Sequence, residues 1–290
     1  MTRIVVTGRE GQLVRSLLER GVGRPIVALG RPDLDLEVEG SARAAILAAR
    51  PDVVINAAAY TNVDGAEDEP DRAMRINGVA AGEVAAAAYE IGAPVVHIST
   101  DYVFDGTSTR PYFEDDPTNP LGAYGRSKLL GESLVREANP RHAIVRTAWV
   151  YSPFGRNFLK TMMKLAESRD KLSVVGDQHG NPTSALDLAD GLLALIDAGV
   201  PQGETYHLAG TGSASWADFA RHIFAHCALR DLPGAEVTPI ATADYPTKAA
   251  RPSNSRLDCT RFKAAFAYFM PAWQSSVADV IDRIVARERT

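Results

Sequence analysis

The fold is set by residues 94–134, which read PVVHISTDYVFDG (94–106), TSTRPYFEDDPTNPLGA (107–123) and YGRSKLLGESL (124–134). Val95 to Ile98 are mainly apolar and β-branched, which is typical of a buried parallel strand. This run ends in the polar cluster Ser99-Thr100-Asp101-Tyr102. The last part has a helical pattern in which Tyr124 and Lys128, four residues apart, share one face. The stretch therefore predicts a buried strand, a polar loop and a helix.

The polar residues of this stretch can form a proton-donating site. We expect the Lys128 ammonium to favour the phenolate of Tyr124 and to lower its pKa from the ordinary value of about 10. Thr100 can hydrogen-bond the same substrate oxygen, so that a carbonyl held there can be reduced with Tyr124 as proton donor. Because a Tyr-x-x-x-Lys spacing often arises by chance, the alternative is an ordinary amphipathic helix with a surface tyrosine and lysine.

Length and composition exclude several classes of protein. The chain has 290 residues, of which 46% are hydrophobic and 23% charged, with a net charge of -5. This balance is ordinary for a globular protein and argues against nucleic-acid binding. Apolar runs stay well short of the roughly 20 residues that span a bilayer, and the N-terminus lacks a secretory pattern. We expect a cytoplasmic protein in which Cys227 and Cys259 are reduced thiols without an assigned role.

A glycine-containing turn follows the first predicted strand, Arg3 to Thr7. Gly8 and Gly11 open a turn in which the backbone can approach a phosphate, and the next helix can hold that phosphate at its N-terminus. The spacing is Gly-x-x-Gly, and Val14 stands where a third glycine is usual, so a plain strand-turn-helix remains the alternative. The position of the turn at the first strand-helix junction favours a dinucleotide.

The end of the second predicted strand, Pro25 to Leu29, bears on the choice of cofactor. An acidic residue at such a strand tip binds the adenosine ribose of NAD. Gly30 and Arg31 occupy the region here, which favours the 2′-phosphate of NADP. Asp33 and Asp35 lie close enough to leave the choice open, and a solvated loop arginine is the alternative.

Strand and helix patterns alternate through the first 150 residues. Such alternation predicts an α/β fold with a Rossmann-like, doubly wound parallel sheet. Ligands of these sheets bind at the carboxyl ends of the strands. After Trp149 the sequence pattern changes. We therefore predict a nucleotide-binding domain over 1–150 and a smaller C-terminal α/β substrate lobe over 151–290, and segments of the two can interleave. The predicted strand ends carry Gly8, Gly11, Ala58, Thr100 and Trp149.

The histidines do not predict a metal site. His222 and His226 are spaced i, i+4 on a predicted helix, which is a zinc-binding spacing. No carboxylate or cysteine completes the set, so a partly buried helix face is favoured and no metal is assigned.

The motifs together resemble the extended short-chain dehydrogenase/reductase superfamily, and within it the dTDP-4-dehydrorhamnose reductase family. The resemblance covers nearly the whole chain. It implies NADPH-dependent reduction of the C4 keto group of dTDP-4-dehydro-L-rhamnose, with NADH possible, by a monomer or homodimer. The motifs are TGREGQLV (7–14), NAAAYTNVDGAE (56–67), STDYVFDG (99–106), YGRSKLLGE (124–132), RTAWVYSPFGRNF (146–158), DQHGNPTSALDLAD (177–190) and RPSNSRLD (251–258).

The resemblance also implies roles for individual residues. Thr100, Tyr124 and Lys128 form the catalytic set, and Lys128 also bonds the nicotinamide ribose. The sugar contacts fall at the strand ends, on Thr100, Asp101, Tyr102 and Trp149. The remaining cofactor positions are Gln12 and Leu13 at the pyrophosphate, Asp35 and Leu36 near the adenine, and Ala58, Ala59 and Tyr60 in the dinucleotide loop.

An acidic protein that binds a diphosphate needs local cations. The candidates are Arg156, Arg251 and Arg256, and for each the alternative is a surface charge. Asn157 and Asn254 can add hydrogen bonds. Two other functions compete with the reductase: another nucleotide-sugar epimerase or reductase of the superfamily, and a non-catalytic regulatory subunit on the same fold. The intact set Thr100-Tyr124-Lys128 argues against the regulatory subunit.

Overall fold

A six-stranded parallel sheet forms the centre of the chain, which a computed structural model describes over residues 1–288. The order of its strands is β10-β5-β4-β3-β1-β2. Short ladders pair β6 with β9, β7 with β12, and β8 with β11. In chain order the strands are β1 (Ile4–Thr7), β2 (Ile26–Leu29), β3 (Val53–Asn56), β4 (Val95–Thr100), β5 (His142–Thr147), β6 (Val150–Tyr151), β7 (Lys171–Val175), β8 (His179–Gly180), β9 (Thr183–Ser184), β10 (Glu204–His207), β11 (Ala214–Ser215) and β12 (Glu236–Ile240).

Helices cover both faces of this sheet. One face packs on α1, α8 and α10, and the other packs on α2, α5 and α6. A π-helical segment, Met74–Val79, precedes α5. The helices are α1 (Gln12–Arg20), α2 (Ser41–Ala49), α3 (Val63–Asp68), α4 (Pro70–Ala73), α5 (Ala80–Glu90), α6 (Ala123–Ala138), α7 (Phe158–Ala166), α8 (Ala185–Ala198), α9 (Trp216–Ala228), α10 (Thr260–Phe266) and α11 (Trp273–Glu288).

The predicted doubly wound parallel sheet is confirmed. The strands β1, β3 and β5 are buried throughout, and β4 is buried except for the half-buried Ile98, as their largely apolar sequences require. Chain order reverses between β1 and β3, which have β2 on one side and β4 on the other. Ligands bind at such a switch point, outside the carboxyl ends of the strands. This rule places the functional site beside Thr7, Asn56 and Thr100.

A second core lies in the C-terminal half of the chain. Leu159 on α7, Phe219 on α9 and Ile281 on α11 belong to this core. The helix α8 and the strand β10 follow residue 150 but pack with the six-stranded sheet, so the chain crosses back into the first part. The interleaving that the sequence allowed is present, and the boundary at residue 150 stays a prediction.

Two local features concern the helix α2 and the segment before α8. Gly40 is the N-cap of α2 with φ of +76°, and Ser41 begins the helix. The Ser41 hydroxyl accepts a hydrogen bond from the Asp35 amide at 2.8 Å. The polar segment 177–183 contains the strand β8 and the beginning of β9, whose backbones pair with β11 and β6.

Candidate active site

The turn between β1 and α1 is built to receive a phosphate. Gly8 has φ of +99°, and a Cβ placed there would lie 3.3 Å from Val14 and 3.6 Å from Ala58. Gly11 is the N-cap of α1 and provides no side chain to cap the helix. Uncapped N–H groups at a helix N-terminus bind anions through hydrogen bonds and the helix dipole. The turn therefore fits the pyrophosphate of a dinucleotide.

The side chains of Gln12 and Leu13 have structural contacts. Leu13 is buried in the core beneath the sheet. The Gln12 amide donates to the Val150 carbonyl at 3.3 Å, and its Oε1 accepts from Ser152 Oγ at 2.8 Å and from Asn157 Nδ2 at 2.9 Å. Gln12 thus joins the turn to the loop after β6, and only its backbone is placed for a phosphate.

A second basic residue accompanies Arg31 at the tip of β2. The stem of Arg9 crosses Gly30, where a Cβ would lie 3.0 Å from Arg9 Cγ. Its guanidinium donates to the Arg31 carbonyl at 3.2 Å and pairs with Asp33. Arg31 is largely exposed and lies 3.7 Å from Asp35. The side chain of Leu36 is buried in the core, so it serves packing.

The loop Ala58-Ala59-Tyr60 is fixed to the helix that carries Tyr124. Asn77, in the π-helical segment, accepts from the Tyr60 amide at 2.7 Å and donates to the Tyr60 carbonyl at 3.0 Å. Its Nδ2 also donates to Ser127 Oγ at 2.9 Å, and Ser127 donates to the Tyr124 carbonyl at 2.8 Å. Asn77 therefore sets the distance between the nucleotide loop and the catalytic helix.

Thr100, Asp101 and Tyr124 meet at the carboxyl end of β4. The Thr100 hydroxyl donates to Asp101 Oδ1 at 3.0 Å, and the rings of Tyr102 and Tyr124 pack edge to face at 5.9 Å. Asp101 Oδ2 is buried without a hydrogen-bond partner within residues 1–288. Burial raises the pKa of Asp101 to about 6, against the opposing effect of the nearby Ser255 and Thr100 hydroxyls. An unpaired buried carboxylate oxygen is a ready acceptor for a ligand hydroxyl.

The expected direction of the Tyr124 pKa was wrong. Burial of the phenol raises the pKa of Tyr124 to about 12, and the Thr100 hydroxyl opposes this rise. Burial lowers the pKa of Lys128 to about 8, and the nearby Glu132 carboxylate opposes this fall. Lys128 Nζ donates to the Ile98 carbonyl at 2.6 Å and lies 3.4 Å from His97 Nε2. The structure thus holds Tyr124 as a phenol, which is the proton-donating form.

Trp149 forms one wall between the catalytic strand ends and the second lobe. Its φ of +45° lies in the left-handed region, which is strained for a bulky residue and is often found at functional sites. The indole stacks on Trp216 with ring centroids 3.5 Å apart. Trp216 in turn lines a cleft of about 810 Å³ between α7, β7 and the segment 240–251. This volume suits a nucleotide-sized ligand.

The predicted phosphate-binding residues differ in their surroundings. Arg251 lines the same cleft and pairs with Asp64 of α3 at 2.7 Å. Its guanidinium is the first cause of the lowered pKa of Asp64. Arg156 is exposed in the loop after β6. Arg256 donates to the Thr109 carbonyl at 2.8 Å and to Asn254 at 2.7 Å, which are structural contacts.

Asn157 and Asn254 also have structural contacts. Asn157 is the N-cap of α7 and donates to Gln12 and to the Ser152 carbonyl. Asn254 is buried and donates to the carbonyls of Ser108 and Arg110 at 2.8 and 2.9 Å. Their amides are used inside the protein, which does not support the predicted contacts with the pyrophosphate or base.

Comparison with known proteins identifies the family. The family model described as the RmlD substrate binding domain matches residues 1–286. A dTDP-4-dehydrorhamnose reductase of Sinorhizobium fredii (strain NBRC 101917 / NGR234) is 42% identical over 289 residues, with 96% of each chain covered. The chain belongs to this family. The family resemblance inferred from the motifs is confirmed.

Two solved structures of similar proteins share the whole fold. A dTDP-4-dehydrorhamnose reductase from Clostridium acetobutylicum has a TM-score of 0.91 at 39% identity, covering 98% of this chain and 99% of that one. One from Bacillus anthracis, in complex with NADP, has a TM-score of 0.91 at 36% identity, covering 97% and 99%. The likeness includes the second lobe as well as the sheet.

Three residues of the candidate site, Arg9, Asn77 and His97, were not predicted from the sequence. Arg9 was visible as a basic residue inside the Gly-x-x-Gly turn. Asn77 lies in a π-helical segment, and the sequence shows it only as an asparagine within a helical pattern. His97 was treated as part of an apolar strand. A histidine buried in such a strand needs hydrogen-bond partners, and this need could have marked it.

Residues 1–288 contain neither a membrane-spanning helix nor a metal-binding cluster. No helix in that range has the length and apolar character needed to cross a bilayer. The same residues contain no cluster of three histidine, cysteine or acidic side chains suited to a metal ion.

Proposed function

We propose that the protein is an NADPH-dependent reductase that converts the C4 keto group of dTDP-4-dehydro-L-rhamnose to the alcohol of dTDP-L-rhamnose. The observation that carries the proposal is the placement of Tyr124. It is held as a phenol beside Thr100, at the carboxyl end of β4 and near the sheet's switch point. Membership of the reductase family supports the same reaction.

The residues present fit a dinucleotide. The backbone of the turn Gly8 to Gly11 and the start of α1 would hold the pyrophosphate, and Ala58 to Tyr60 would lie along the dinucleotide. When bound, the reduced nicotinamide supplies the hydride. Arg9 and Arg31 flank Gly30, where an acidic residue would favour NAD, so we infer a preference for the 2′-phosphate of NADPH.

The chain's own side chains perform the acid-base part of the reaction. Thr100 holds the carbonyl oxygen, and Tyr124 gives its proton to the oxygen as the alkoxide forms. Lys128 carries the proton that restores the phenol. Asp101 Oδ2 accepts a hydrogen bond from a sugar hydroxyl, which satisfies its missing partner.

The nucleotide end of the substrate fits the cleft beside the site. Trp149 and Trp216 provide an aromatic wall, and Arg251 provides a cation for the diphosphate. We infer that Arg251 exchanges part of its pairing with Asp64 for a phosphate oxygen, because both lie at the rim shared with α3. We further propose that the reaction takes place in the cytoplasm, where nucleotide sugars and NADPH are supplied.

A single assay tests the proposal. Purified protein is mixed with dTDP-4-dehydro-L-rhamnose and NADPH, and consumption of NADPH is followed by absorbance together with formation of dTDP-L-rhamnose. We expect stoichiometric consumption. An epimerase would convert the sugar without added NADPH, and a regulatory subunit would do neither. Either of those results would reject the reductase.

A further inference from the structure

A row of buried polar side chains runs beneath the catalytic lysine. Thr7, Asn56 and His97 stand on the neighbouring strands β1, β3 and β4, and Asn56 is the direct partner of His97 in the parallel ladder. Each is at most 2% exposed. The mechanism proposed above assigns no role to this row, although it ends 3.4 Å from Lys128 Nζ.

The donors and acceptors in the row determine the direction in which its hydrogen bonds run, from Thr7 through Asn56 to His97. Thr7 Oγ1 accepts from the amides of Ala57 and Ala58, both at 3.0 Å. Its own proton is therefore free to go to Asn56 Oδ1, 2.8 Å away. This bond orients the Asn56 amide, so that Nδ2 donates to His97 Nδ1 at 3.1 Å.

The tautomer of His97 follows from this direction. Burial, together with the Lys128 charge, holds the pKa of His97 well below its ordinary value, so the ring is neutral. A neutral imidazole carries one proton, and because Nδ1 accepts, that proton is on Nε2. The His97 N–H therefore faces Lys128 Nζ.

An N–H group facing Lys128 favours one charge state of the lysine. The ammonium is a donor only, so it gains nothing from His97 and relies on the Ile98 carbonyl at 2.6 Å. The neutral amine has a lone pair, which can accept the Nε2 proton while an amine N–H still binds Ile98. The row thus stabilises the amine form of Lys128.

We propose that His97, fixed by Thr7 and Asn56, is a positioning residue whose N–H stabilises the amine form of Lys128 and so makes Lys128 a ready proton donor to the spent Tyr124 phenolate. The step rests on the proposed reductase function. One N–H bond of the ammonium breaks and the phenol O–H bond forms. The electron pair left on Nζ then accepts the His97 hydrogen bond, and the amine takes its next proton from water.

Other charged groups surround this pair. Glu132 lies one turn after Lys128 on α6, and its carboxylate is bound by Arg146 of β5 and Arg136 of α6. Glu132 favours the ammonium, whereas Arg136 and the buried His142 of β5 disfavour a charged His97 ring. Tyr124 faces Lys128 from the preceding turn, with Asp101 beyond it. All of these groups remain in the variants below, so they do not account for a difference between them.

The first test measures the tautomer of His97 directly. Wild-type protein with ¹⁵N-labelled histidine is studied by long-range ¹H–¹⁵N NMR, and His97→Leu identifies the signal. We expect a neutral ring with its proton on Nε2 between pH 6 and 9. A proton on Nδ1, or a charged ring, would overturn the proposal. This measurement needs no turnover, so it stands apart from any failure of the reductase assay.

The second test reads the effect on Lys128 through the pH profile of kcat. Reduction should slow as pH rises through the pKa of Lys128, because the ammonium is needed. His97→Leu removes the N–H without adding charge. In Asn56→Asp the new carboxylate accepts a hydrogen bond from His97 Nδ1–H, which reverses the tautomer, and its charge acts in the same direction. Each should move the alkaline limb upward by about one pH unit, the size of one hydrogen bond of about 1.4 kcal/mol.

A control separates this role from simple packing. His207→Gln alters another fully buried histidine, whose Nδ1 bonds the Tyr112 carbonyl away from Lys128. It should leave the alkaline limb in place. If His97→Leu and Asn56→Asp lower kcat but leave the limb at its wild-type position, the row is structural only and the proposal is wrong.

Discussion

Replacing Asp101 by asparagine should make the protein more stable while weakening its substrate binding. The side chain is 3% exposed, and one carboxylate oxygen lacks a partner within residues 1–288. An ionised carboxylate in such a place costs folding free energy, because burial removes its hydration. Asparagine has almost the same shape and carries no charge, and its Oδ1 can keep the bond from Thr100.

The size of the effect follows from the pKa of Asp101. Burial raises it from 3.8 to about 6, so between these values the folded state holds the proton more tightly than the unfolded state. Wild-type stability therefore falls as pH rises through this window, and the whole penalty is present above about pH 7. At 1.36 kcal/mol for each pH unit, the penalty is about 3 kcal/mol at pH 8 and about half of that at pH 5.

Urea unfolding of wild type and Asp101→Asn at pH 5 and pH 8 measures this difference. We expect the variant to gain about 1–3 kcal/mol at pH 8 and clearly less at pH 5. Asp105→Asn is the matched control, because hydrogen bonds from Thr107 lower the pKa of Asp105 to about 2 and its loss should destabilise the protein. Equal gains of Asp101→Asn at both pH values, or a loss at pH 8, would refute a buried charge at Asp101. The KM for the nucleotide sugar should rise about tenfold in Asp101→Asn, the effect of about 1.4 kcal/mol of lost binding.

Four further substitutions test the site. Tyr124→Phe should lower kcat by ~10²–10⁴-fold through loss of the general acid, with NADPH binding by calorimetry nearly unchanged; near wild-type turnover would remove Tyr124 from the mechanism. Arg9→Ala and Arg31→Ala should each raise the KM for NADPH more than that for NADH, whereas Arg43→Ala, which breaks a surface pair with Glu90, should change neither; equal changes for both cofactors would mean that the 2′-phosphate is bound elsewhere. Arg251→Ala should weaken dTDP binding by ~10-fold or more and leave NADPH affinity within about twofold. Lys248→Ala is its control, because it breaks a neighbouring exposed pair with Asp68, and unchanged dTDP affinity in Arg251→Ala would place the diphosphate elsewhere.

The sheet and the placement of the candidate catalytic residues were predictable because their signals are local. A mainly apolar, β-branched run such as Val95 to Ile98 strongly favours a buried strand over other structures. Strand ends in a parallel sheet gather at one edge, so Thr100 and Gly8 were expected near one another without knowledge of the contacts. The spacing of Tyr124 and Lys128 on a helix was equally local.

Contacts between distant parts of the chain were not predictable. The pKa of Tyr124 depends on its burial, which includes packing against Ala66 and Ala73 far away in sequence, and this desolvation outweighs the opposing hydrogen bond from Thr100. The side-chain amides of Asn157 and Asn254 could hydrogen-bond a ligand or the protein itself, and the sequence does not distinguish the two. Only the structure shows that they donate to Gln12 and to two loop carbonyls. The strand β10 pairs with β5 after the chain has passed through the second lobe, and no local sequence pattern predicts that pairing.

Close packing at two glycines explains how the catalytic helix is held in position. A Cβ at Gly125 would lie 2.2 Å from the Tyr102 carbonyl, and one at Gly131 would lie 2.1 Å from the Asn77 carbonyl. The helix α6 is therefore pressed against the polar end of β4 at one point and against the π-helical segment at another. The side chain of Asn77 also hydrogen-bonds the backbone of Tyr60 in the loop Ala58-Ala59-Tyr60. Because one residue contacts both the loop and the helix, a shift of the nucleotide loop would also move the turn that carries Tyr124. Under the proposed function, the π-helical segment couples the position of the cofactor to that of the proton donor, in keeping with the frequent occurrence of such segments at functional sites.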